Sequence, residues 1–185
     1  MALARVAALA FPVARSSVRG VTFAELVTEH QDEVYGLALR MLGDRDAALD
    51  VMATVFLKAY RAFDRYDQTR PARHWLLRIT VNECISAGRA RTRERARSAP
   101  AEEADRAVDP QPLPDEEALR GEERDRIRLA VAGLPELYRG PVVLRYFSGL
   151  SVDEVGQVLG RPAATVGVQL LRARALLRES LGGEA

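Results

Sequence analysis

The sequence predicts an all-α protein in which a flexible acidic linker joins two small helical domains, the C-terminal one containing a helix-turn-helix. Apolar residues recur at steps of three and four from Phe23 onward, which is the helical period. Alternating β-branched runs, the mark of strands, do not continue beyond a few residues. The 185 residues, 48% of them apolar, suffice for one domain or two small ones. The predicted divisions are an N-terminal extension over 1–20, a domain over 21–97, a linker over 98–118 and a domain over 119–182.

The N-terminal extension mixes a short apolar stretch with arginines. A secretion signal is one interpretation, because such signals join a basic start to an apolar run. The run is very short, however, and Pro12 and Arg15 follow it. We therefore expect a mobile tail, or a start codon placed too far upstream.

The N-terminal domain is predicted to contain three helices. The first begins near Phe23 and ends at Gly43, which interrupts the apolar period. The second covers 46–62, with cations near its end that complement the helix dipole. A polar loop over 63–72 separates it from a third helix, which contains Trp75 and continues into an arginine-rich stretch.

The predicted linker is rich in proline and acidic residues and almost lacks large apolar side chains. Such a segment buries too little apolar surface to offset the entropy lost on ordering. We therefore expect an extended, flexible connection between the two domains.

The C-terminal domain is predicted to begin with two helices. The first contains Ile127 and ends between Gly133 and Pro135, since both residues interrupt a helix. The second runs from Leu137 to Phe147. The helix-turn-helix follows them.

The helix-turn-helix is the sharpest local signal in the sequence. Ser151 and Glu154 form a capping box that begins its first helix. Gly156 lacks a side chain where a second helix must approach closely. Gly160 suits a left-handed turn, and Pro162 prevents the first helix from continuing.

The second helix of this motif is predicted over 163–181. Its apolar side chains are expected to be buried, namely Val166, Leu170, Leu171, Ala173, Leu176 and Leu177. Its other face presents arginines to DNA phosphates or base edges, namely Arg172, Arg174 and Arg178. The alternative is a surface helix pair with solvated arginines, because two-helix turns also occur in proteins that never contact DNA.

The charged residues are arranged in blocks that the net charge of +1 conceals. Residues 21–57 contain seven acidic and two basic residues, and residues 58–97 contain eleven basic and four acidic ones. Residues 99–118 are again acidic, with seven carboxylates and one arginine. The basic block predicts a surface for a polyanion, and the alternation predicts several separate contact surfaces.

Several classes of protein are disfavoured. The single Cys84 excludes an internal disulfide, and neither it nor His30 and His74 has zinc-ligand spacing, so no structural metal is predicted. No apolar run reaches the roughly 20 residues that span a bilayer, so we predict no membrane insertion. An enzyme has little support, since the sequence has no glycine-rich phosphate loop and no plausible histidine partner for Cys84. No cofactor is predicted, and one cysteine fits a reducing cytosol.

Two segments resemble bacterial extracytoplasmic-function sigma factors, the two-domain initiation subunits of RNA polymerase. The N-terminal one is FAELVTEHQDEVYGLALRMLGDRDAALDVMATVFLKAYRAF with the later WLLRITVNECISAGRAR. The C-terminal one is LPELYRGPVVLRYFSGLSVDEVGQVLGRPAATVGVQLLRARALLRESL. The resemblance implies an alternative sigma factor in the cytoplasm that binds core RNA polymerase and promoter DNA and has no catalytic activity. It also suggests an anti-sigma factor as a partner.

The resemblance implies three sets of site residues. The helix over 46–61 would bind core polymerase through Asp50, Phe56 and Lys58. The loop and helix over 62–89 would hold melted minus-10 DNA through Arg70, Arg73, Trp75, Arg78, Asn82 and Arg89. The second helix of the helix-turn-helix and the turn before it would bind minus-35 DNA through Arg161, Thr165, Gln169, Arg172 and Arg174.

The roles that the resemblance implies for Phe56, Trp75 and the linker each have an alternative. Phe56 is equally well explained as domain core. Trp75 lies at a helical core period and is better explained as packed inside than as a cap on a flipped base. The linker either follows the path of nascent RNA in the polymerase cleft or is a solvated spacer.

The chain also departs from the pattern that it resembles. Ala53 and Thr54 replace a glutamine and a glutamate before Phe56, Ala72 replaces an aromatic residue, and Ser86 replaces an aspartate. A DNA-binding regulator that has lost polymerase docking is therefore the second hypothesis for its function.

The recognition helix departs most clearly. Gly167, Val168 and Gln169 stand where the family has Lys-Ser-Arg, so two cations are missing. Each lost phosphate contact makes the slope of log affinity against log salt concentration shallower by about 0.9. Gln169 would still pair with adenine. We expect an unusual or weak minus-35 preference.

Overall fold

The computed structural model describes residues 17–18, 21–67, 71–98 and 118–182. Apart from connecting turns and loops, the described part is helical, with two-residue strands β1 (Ser17–Val18) and β2 (Val21–Thr22) that pair antiparallel. The all-α prediction is confirmed. Residues 1–16, 19–20 and 99–117 lie outside the described residues, and with them most of the predicted mobile extension and of the predicted linker.

Three α-helices form most of the described part of the N-terminal domain: α1 (Phe23–Leu42), α2 (Arg45–Ala62) and α3 (Ala72–Ser98). A short 3-10 helix, Phe63–Arg65, follows α2. Thr22 and Glu25 form a capping box that begins α1. Gly43, in the left-handed conformation at φ 70°, ends it, as the sequence predicts. Asp44 begins α2 by accepting a hydrogen bond from the Ala47 amide at 2.9 Å. The three helices pack against one another around an apolar core.

The described part of the C-terminal domain contains α4 (Ala118–Gly133), α5 (Glu136–Val142), α6 (Val152–Leu159) and α7 (Ala163–Ser180). α5 continues as a π-helical turn over Val143–Phe147. The predicted helix-turn-helix is formed by α6 and α7. Ser151 and Glu154 form the predicted capping box.

Glycines shape the turn between α6 and α7 as predicted. Gly160 has φ 65° and ends α6. A Cβ at Gly156 would lie 2.7 Å from the carbonyl oxygen of Arg161, in the residues that lead into α7. Only glycine fits there without a backbone shift.

Pro141 lies inside α5, where it removes one helical hydrogen-bond donor. Proline has no N–H, so the carbonyl of Leu137 receives no helical hydrogen bond from it. The guanidinium of Arg161 donates to that carbonyl at 3.4 Å. The turn of the helix-turn-helix is thereby attached to α5.

The two domains pack against each other, which the sequence did not predict. α3 contacts α6, and α1 contacts both α4 and the π-helical turn. Arg139 of α5 donates to the carbonyl of Met41 in α1 at 2.8 Å and to that of Leu134 in its own domain at 2.7 Å. A single apolar cluster includes buried residues of both domains.

The predicted burial of α7 needs a correction. Val166, Leu170 and Ala173 are buried as predicted, but Leu171 is 62% exposed and Leu176 is 36% exposed. Gln169 is buried in their place, with 6% of its surface exposed. α7 is rotated relative to the prediction, so that Gln169 faces inward. The side-chain oxygen of Gln169 accepts a hydrogen bond from Arg161, which offsets the free-energy cost of burying this polar group.

Candidate polymerase and nucleic-acid interfaces

α2 presents the residues predicted to bind polymerase on two different sides. Asp50 and Lys58 are exposed, and the ammonium of Lys58 lies 2.6 Å from the carboxylate of Glu83 in α3. Phe56 is 5% exposed and belongs to the apolar core. The assignment of Phe56 as a surface contact is therefore corrected in favour of its alternative, the domain core.

The outer face of α2 carries two exposed leucines that the sequence analysis missed. Leu49 is 37% and Leu57 is 40% exposed, and the exposed Ala53 lies between them. Residues four apart share one face of a helix, so these three form a continuous row, the α2 stripe. The sequence signal that could have identified this row is the four-residue spacing of Leu49, Ala53 and Leu57 on the side of the helix opposite the buried residues.

The residues predicted to hold minus-10 DNA lie along α3, except Arg70, which is outside the described residues. Arg73 donates through two nitrogens to the carboxylate of Glu33, at 2.6 to 3.0 Å. This contact raises the pKa of the Arg73 guanidinium. Arg73 also donates to the carbonyl of Ser148 in the C-terminal domain. It therefore joins α1, α3 and the C-terminal domain.

Further contacts place this face of α3 against the C-terminal domain. Arg89 donates to Glu136 at 2.6 and 3.0 Å, which raises the pKa of the arginine. The imidazole of His74 lies 3.6 Å from the carboxylate of Glu154. We call the contacts Arg73–Ser148, His74–Glu154, Arg89–Glu136 and Arg139–Met41 the interdomain contacts.

Two other predicted residues on α3 are exposed. Arg78 reaches toward the turn of the helix-turn-helix, where its guanidinium lies 3.5 Å from the position of a Cβ at Gly160. Asn82 is exposed one turn further along. The candidate minus-10 residues thus share one helix, but several of them face the other domain.

Trp75 is half-buried and stacks on Tyr66, with ring centroids 4.6 Å apart and planes at 29°. It also packs against the apolar core, in agreement with the favoured interpretation of its role. Tyr66 lies in the loop before α3 and was missed, because a lone aromatic residue in a polar loop has no periodic signal.

α7 presents part of the predicted minus-35 set. Thr165, Arg172 and Arg174 are exposed. Gln169 is buried and its side-chain oxygen accepts a hydrogen bond from Arg161 at 3.1 Å. The assignment of Gln169 as an adenine reader is therefore corrected, since its amide faces the protein interior. Arg161 is half-buried and holds protein acceptors.

A cavity of about 540 Å³ lies between the domains, lined in part by Met41, Cys84, Arg89, Glu136 and Arg139. Burial raises the pKa of the Cys84 thiol to about 12. A thiol in this state is protonated at neutral pH and is a poor nucleophile. Burial also lowers the pKa of Arg139.

The described residues contain neither a cluster of metal ligands nor a helix that could span a membrane. Within residues 17–18, 21–67, 71–98 and 118–182, three or more histidine, cysteine or carboxylate side chains do not come together in a way that could hold a metal ion. Within the same ranges, each helix is too short or too polar to cross a membrane.

Comparisons with known proteins match both domains. The family model of sigma-70 region 2 matches residues 26–94, and that of sigma-70 region 4 matches residues 124–177. The chain is 32% identical over 167 residues to the ECF RNA polymerase sigma factor SigW of Bacillus subtilis, covering 86% of this chain and 88% of that protein. It is 34% identical over 157 residues to the ECF sigma factor SigE of Mycolicibacterium smegmatis, covering 85% of this chain and 60% of that one.

Two solved structures share the fold. One is the sigma factor RpoE in complex with the anti-sigma factor NepR from Bartonella quintana, with a TM-score of 0.70 and 22% identity, covering 88% of this chain and 98% of that one. The other is CnrH in complex with the cytosolic domain of CnrY, with a TM-score of 0.66 and 24% identity, covering 99% of this chain and 96% of that one. The chain belongs to the ECF sigma factors of the sigma-70 family and, as such, directs promoter-specific transcription initiation.

Proposed function

We propose that three helices divide the work of this sigma factor. α2 docks on core polymerase through Asp50, Lys58 and the α2 stripe, α3 holds melted minus-10 DNA, and α7 enters the upstream duplex. The domains over 21–97 and 119–182 are the two binding units. The main support is the chemistry of α3, where Arg73 and Arg89 already hold carboxylate oxygens in the paired geometry that a phosphate also offers.

Engagement of DNA by α3 requires the interdomain contacts to open. Arg89 cannot hold Glu136 and a phosphate with the same two nitrogens. Arg73 loses its contact with Ser148 when the domains separate, whereas its pair with Glu33 lies within the N-terminal domain and has to exchange with the phosphate. The pairs are partly exposed, so their net contribution is small and other contacts can replace them. We propose that binding to polymerase separates the domains and frees α3 for the melted strand.

The chain itself carries out no covalent chemistry in this proposal. Its relatives are transcription factors rather than enzymes. Polymerase supplies the active site, and the sigma factor supplies the choice of start site, with no cofactor of its own. We place this activity in the cytoplasm, where polymerase and promoters are.

An inhibitory protein partner is part of the proposal. One solved structure that shares the fold contains a sigma factor with an anti-sigma factor, and the other contains CnrH with the cytosolic domain of CnrY. The α2 stripe offers such a partner an apolar row that polymerase also needs, because exposed leucines on one helix face are a common docking feature. A partner on this row would compete with polymerase.

Run-off transcription with purified core polymerase tests the proposal. We expect the chain to direct core polymerase to a discrete set of start sites on fragments of genomic DNA, and core polymerase alone to give none of them. The substitutions Ala53 and Thr54 favour the second candidate, a regulator that binds DNA without polymerase. Specific DNA binding by the free chain, with no association with core polymerase, would support that candidate and contradict ours.

A further inference from the structure

The exposed face of α7 is apolar at its centre. Ala164, Val168, Leu171 and Ala175 are all exposed, with Val168 at 51% and Leu171 at 62%. Their spacing of four, three and four residues puts them on one side of a helix with 3.6 residues per turn. We call this row the α7 stripe.

Polar readers are scarce beside the α7 stripe. Gln169 is buried and bonded to Arg161. Gly167 has no side chain, and Thr165 is the exposed polar residue of the first turn of α7. The N-terminal part of the second helix is the part that reaches base edges in a helix-turn-helix. In this chain, that part offers mainly methyl groups.

Arginines lie on both sides of the α7 stripe. At 100° per residue, Arg172 falls on one side of the row, whereas Arg174 and Arg178 fall on the other. All three are exposed. The major groove is complementary to this pattern, because it has base edges at its centre, facing the apolar row, and a phosphate strand on each side, facing the arginines. This charge pattern identifies the occupant of the row as duplex DNA rather than an apolar protein surface.

We infer that Val168 is a specificity-determining residue that selects thymine through its 5-methyl group, with Leu171 extending the same contact. The inference rests on the proposed function and replaces hydrogen-bond readout by Gln169. Among the base edges of the major groove, thymine alone presents a methyl group, and apolar side chains recognise it. Arg172, Arg174 and Arg178 hold the flanking phosphates and carry no sequence information themselves.

Replacing thymine by deoxyuridine tests this inference, because it removes the methyl group and leaves base pairing intact. The probe is a set of duplexes selected by the reconstituted holoenzyme from a pool with a randomised upstream element. Each thymine on either strand of the selected upstream element is then replaced singly. Binding of holoenzyme carrying the native chain, Val168→Ala or Leu171→Ala is measured for each duplex. Leu129→Ala, which truncates an exposed leucine on α4, is the matched control.

We expect at least one thymine whose replacement lowers the affinity of the native holoenzyme about fourfold, the value of one buried methyl group. Val168→Ala should remove that difference, so that thymine and deoxyuridine duplexes bind equally. Leu129→Ala should retain it. Alanine is a strong helix former, so the variant helix is expected to remain folded.

The possible failures are distinguishable. Selected elements without thymine, or with thymines that tolerate deoxyuridine, would overturn the inference while leaving the proposed function intact. Run-off transcription without any upstream selectivity would have the same meaning. Absence of both transcription and enrichment would overturn the proposed function and the inference together.

Discussion

The guanidinium of Arg89 lies 2.6 Å from the carboxylate of Glu136, so a predicted DNA contact of one domain forms an ion pair with the other domain. The two residues are 47 positions apart in the chain. The pair links the ability of α3 to bind DNA to the separation of the domains. It can be tested without altering the arginine.

Glu136→Gln should raise the affinity of the free chain for a single-stranded oligonucleotide by no more than about fivefold, because exposed ion pairs contribute little. The gain should shrink as salt is added. Fluorescence anisotropy at two salt concentrations measures both effects. Glu29→Gln removes the same charge from an exposed site on α1 and is the control. Equal gains in both variants would indicate a general charge effect and contradict the role of the pair.

Leu57→Asp should weaken binding to core polymerase by about tenfold or more, the range expected when a buried interface leucine is lost. Helix content should stay unchanged, since Leu57 is exposed in the free chain. Competition between native and variant chains for core polymerase measures the loss. Leu129→Asp makes the same change on α4. An unaltered affinity in Leu57→Asp would exclude the α2 stripe from the interface.

Cys84 should report on domain separation. Its thiol is 2% exposed and has its pKa raised to about 12, so a thiol reagent at pH 7 to 8 should label the free chain very slowly. Core polymerase should accelerate labelling, because separation of the domains removes Glu136 and Arg139 from the wall of the cavity that Cys84 lines. Mass spectrometry of the sigma chain over time measures this. Slower labelling in the complex would mean that the domains stay together.

Gly156→Ala should destabilise the chain by about 1 to 3 kcal/mol, the usual cost of overpacking. Its new Cβ would lie 2.7 Å from a backbone oxygen, which cannot move aside as a flexible side chain can. Gly167→Ala is the control, because a Cβ there has no neighbour within 4 Å among the described residues. It should stabilise α7 by roughly 0.5 to 1 kcal/mol. Thermal denaturation followed by circular dichroism separates the two outcomes.

The capping box of α6 should contribute stability that depends on pH. Glu154 accepts a hydrogen bond from the Ser151 amide at 2.8 Å, which is the main reason that its pKa is lowered from 4.5. A lowered folded pKa means that the stabilisation is complete above 4.5 and disappears as the pH falls through the folded value. The stability difference between the native chain and Glu154→Gln should therefore shrink in acid.

Melting temperatures of both chains from pH 7 down to pH 3 measure that difference. Asp153→Asn, which removes a charge from the same turn without altering the capping box, is the control. A difference between native chain and Glu154→Gln that stays constant across this range would contradict the assignment.

The local elements were predictable because each has its signal within a few residues. Gly43 and Gly160 end helices, and Ser151 with Glu154 begins one, through backbone conformations and hydrogen bonds that span three or four positions. Apolar spacing then fixes the length of each helix. The family resemblance added the division of function between helices.

The errors concern contacts between distant residues. Leu171 and Gln169 compete for the interior face of α7, and apolar spacing alone favours Leu171. The hydrogen bond from Arg161 to Gln169 decides otherwise, and it depends on the turn that brings α6 and α7 together. The packing of the two domains has no local signal either, because Arg89 and Glu136 become neighbours only after both domains fold.

Arg161 donates hydrogen bonds to the backbone carbonyl of Leu137 and to the side-chain oxygen of Gln169, and it is also a predicted minus-35 DNA contact. A phosphate that recruits this guanidinium would leave both internal acceptors without their donor. Binding of duplex DNA and the rigidity of the helix-turn-helix therefore depend on the same side chain, Arg161. A strong contact between Arg161 and a DNA phosphate would loosen the helix-turn-helix locally. The promoter that binds most tightly therefore need not be the one on which the helix-turn-helix is most rigid.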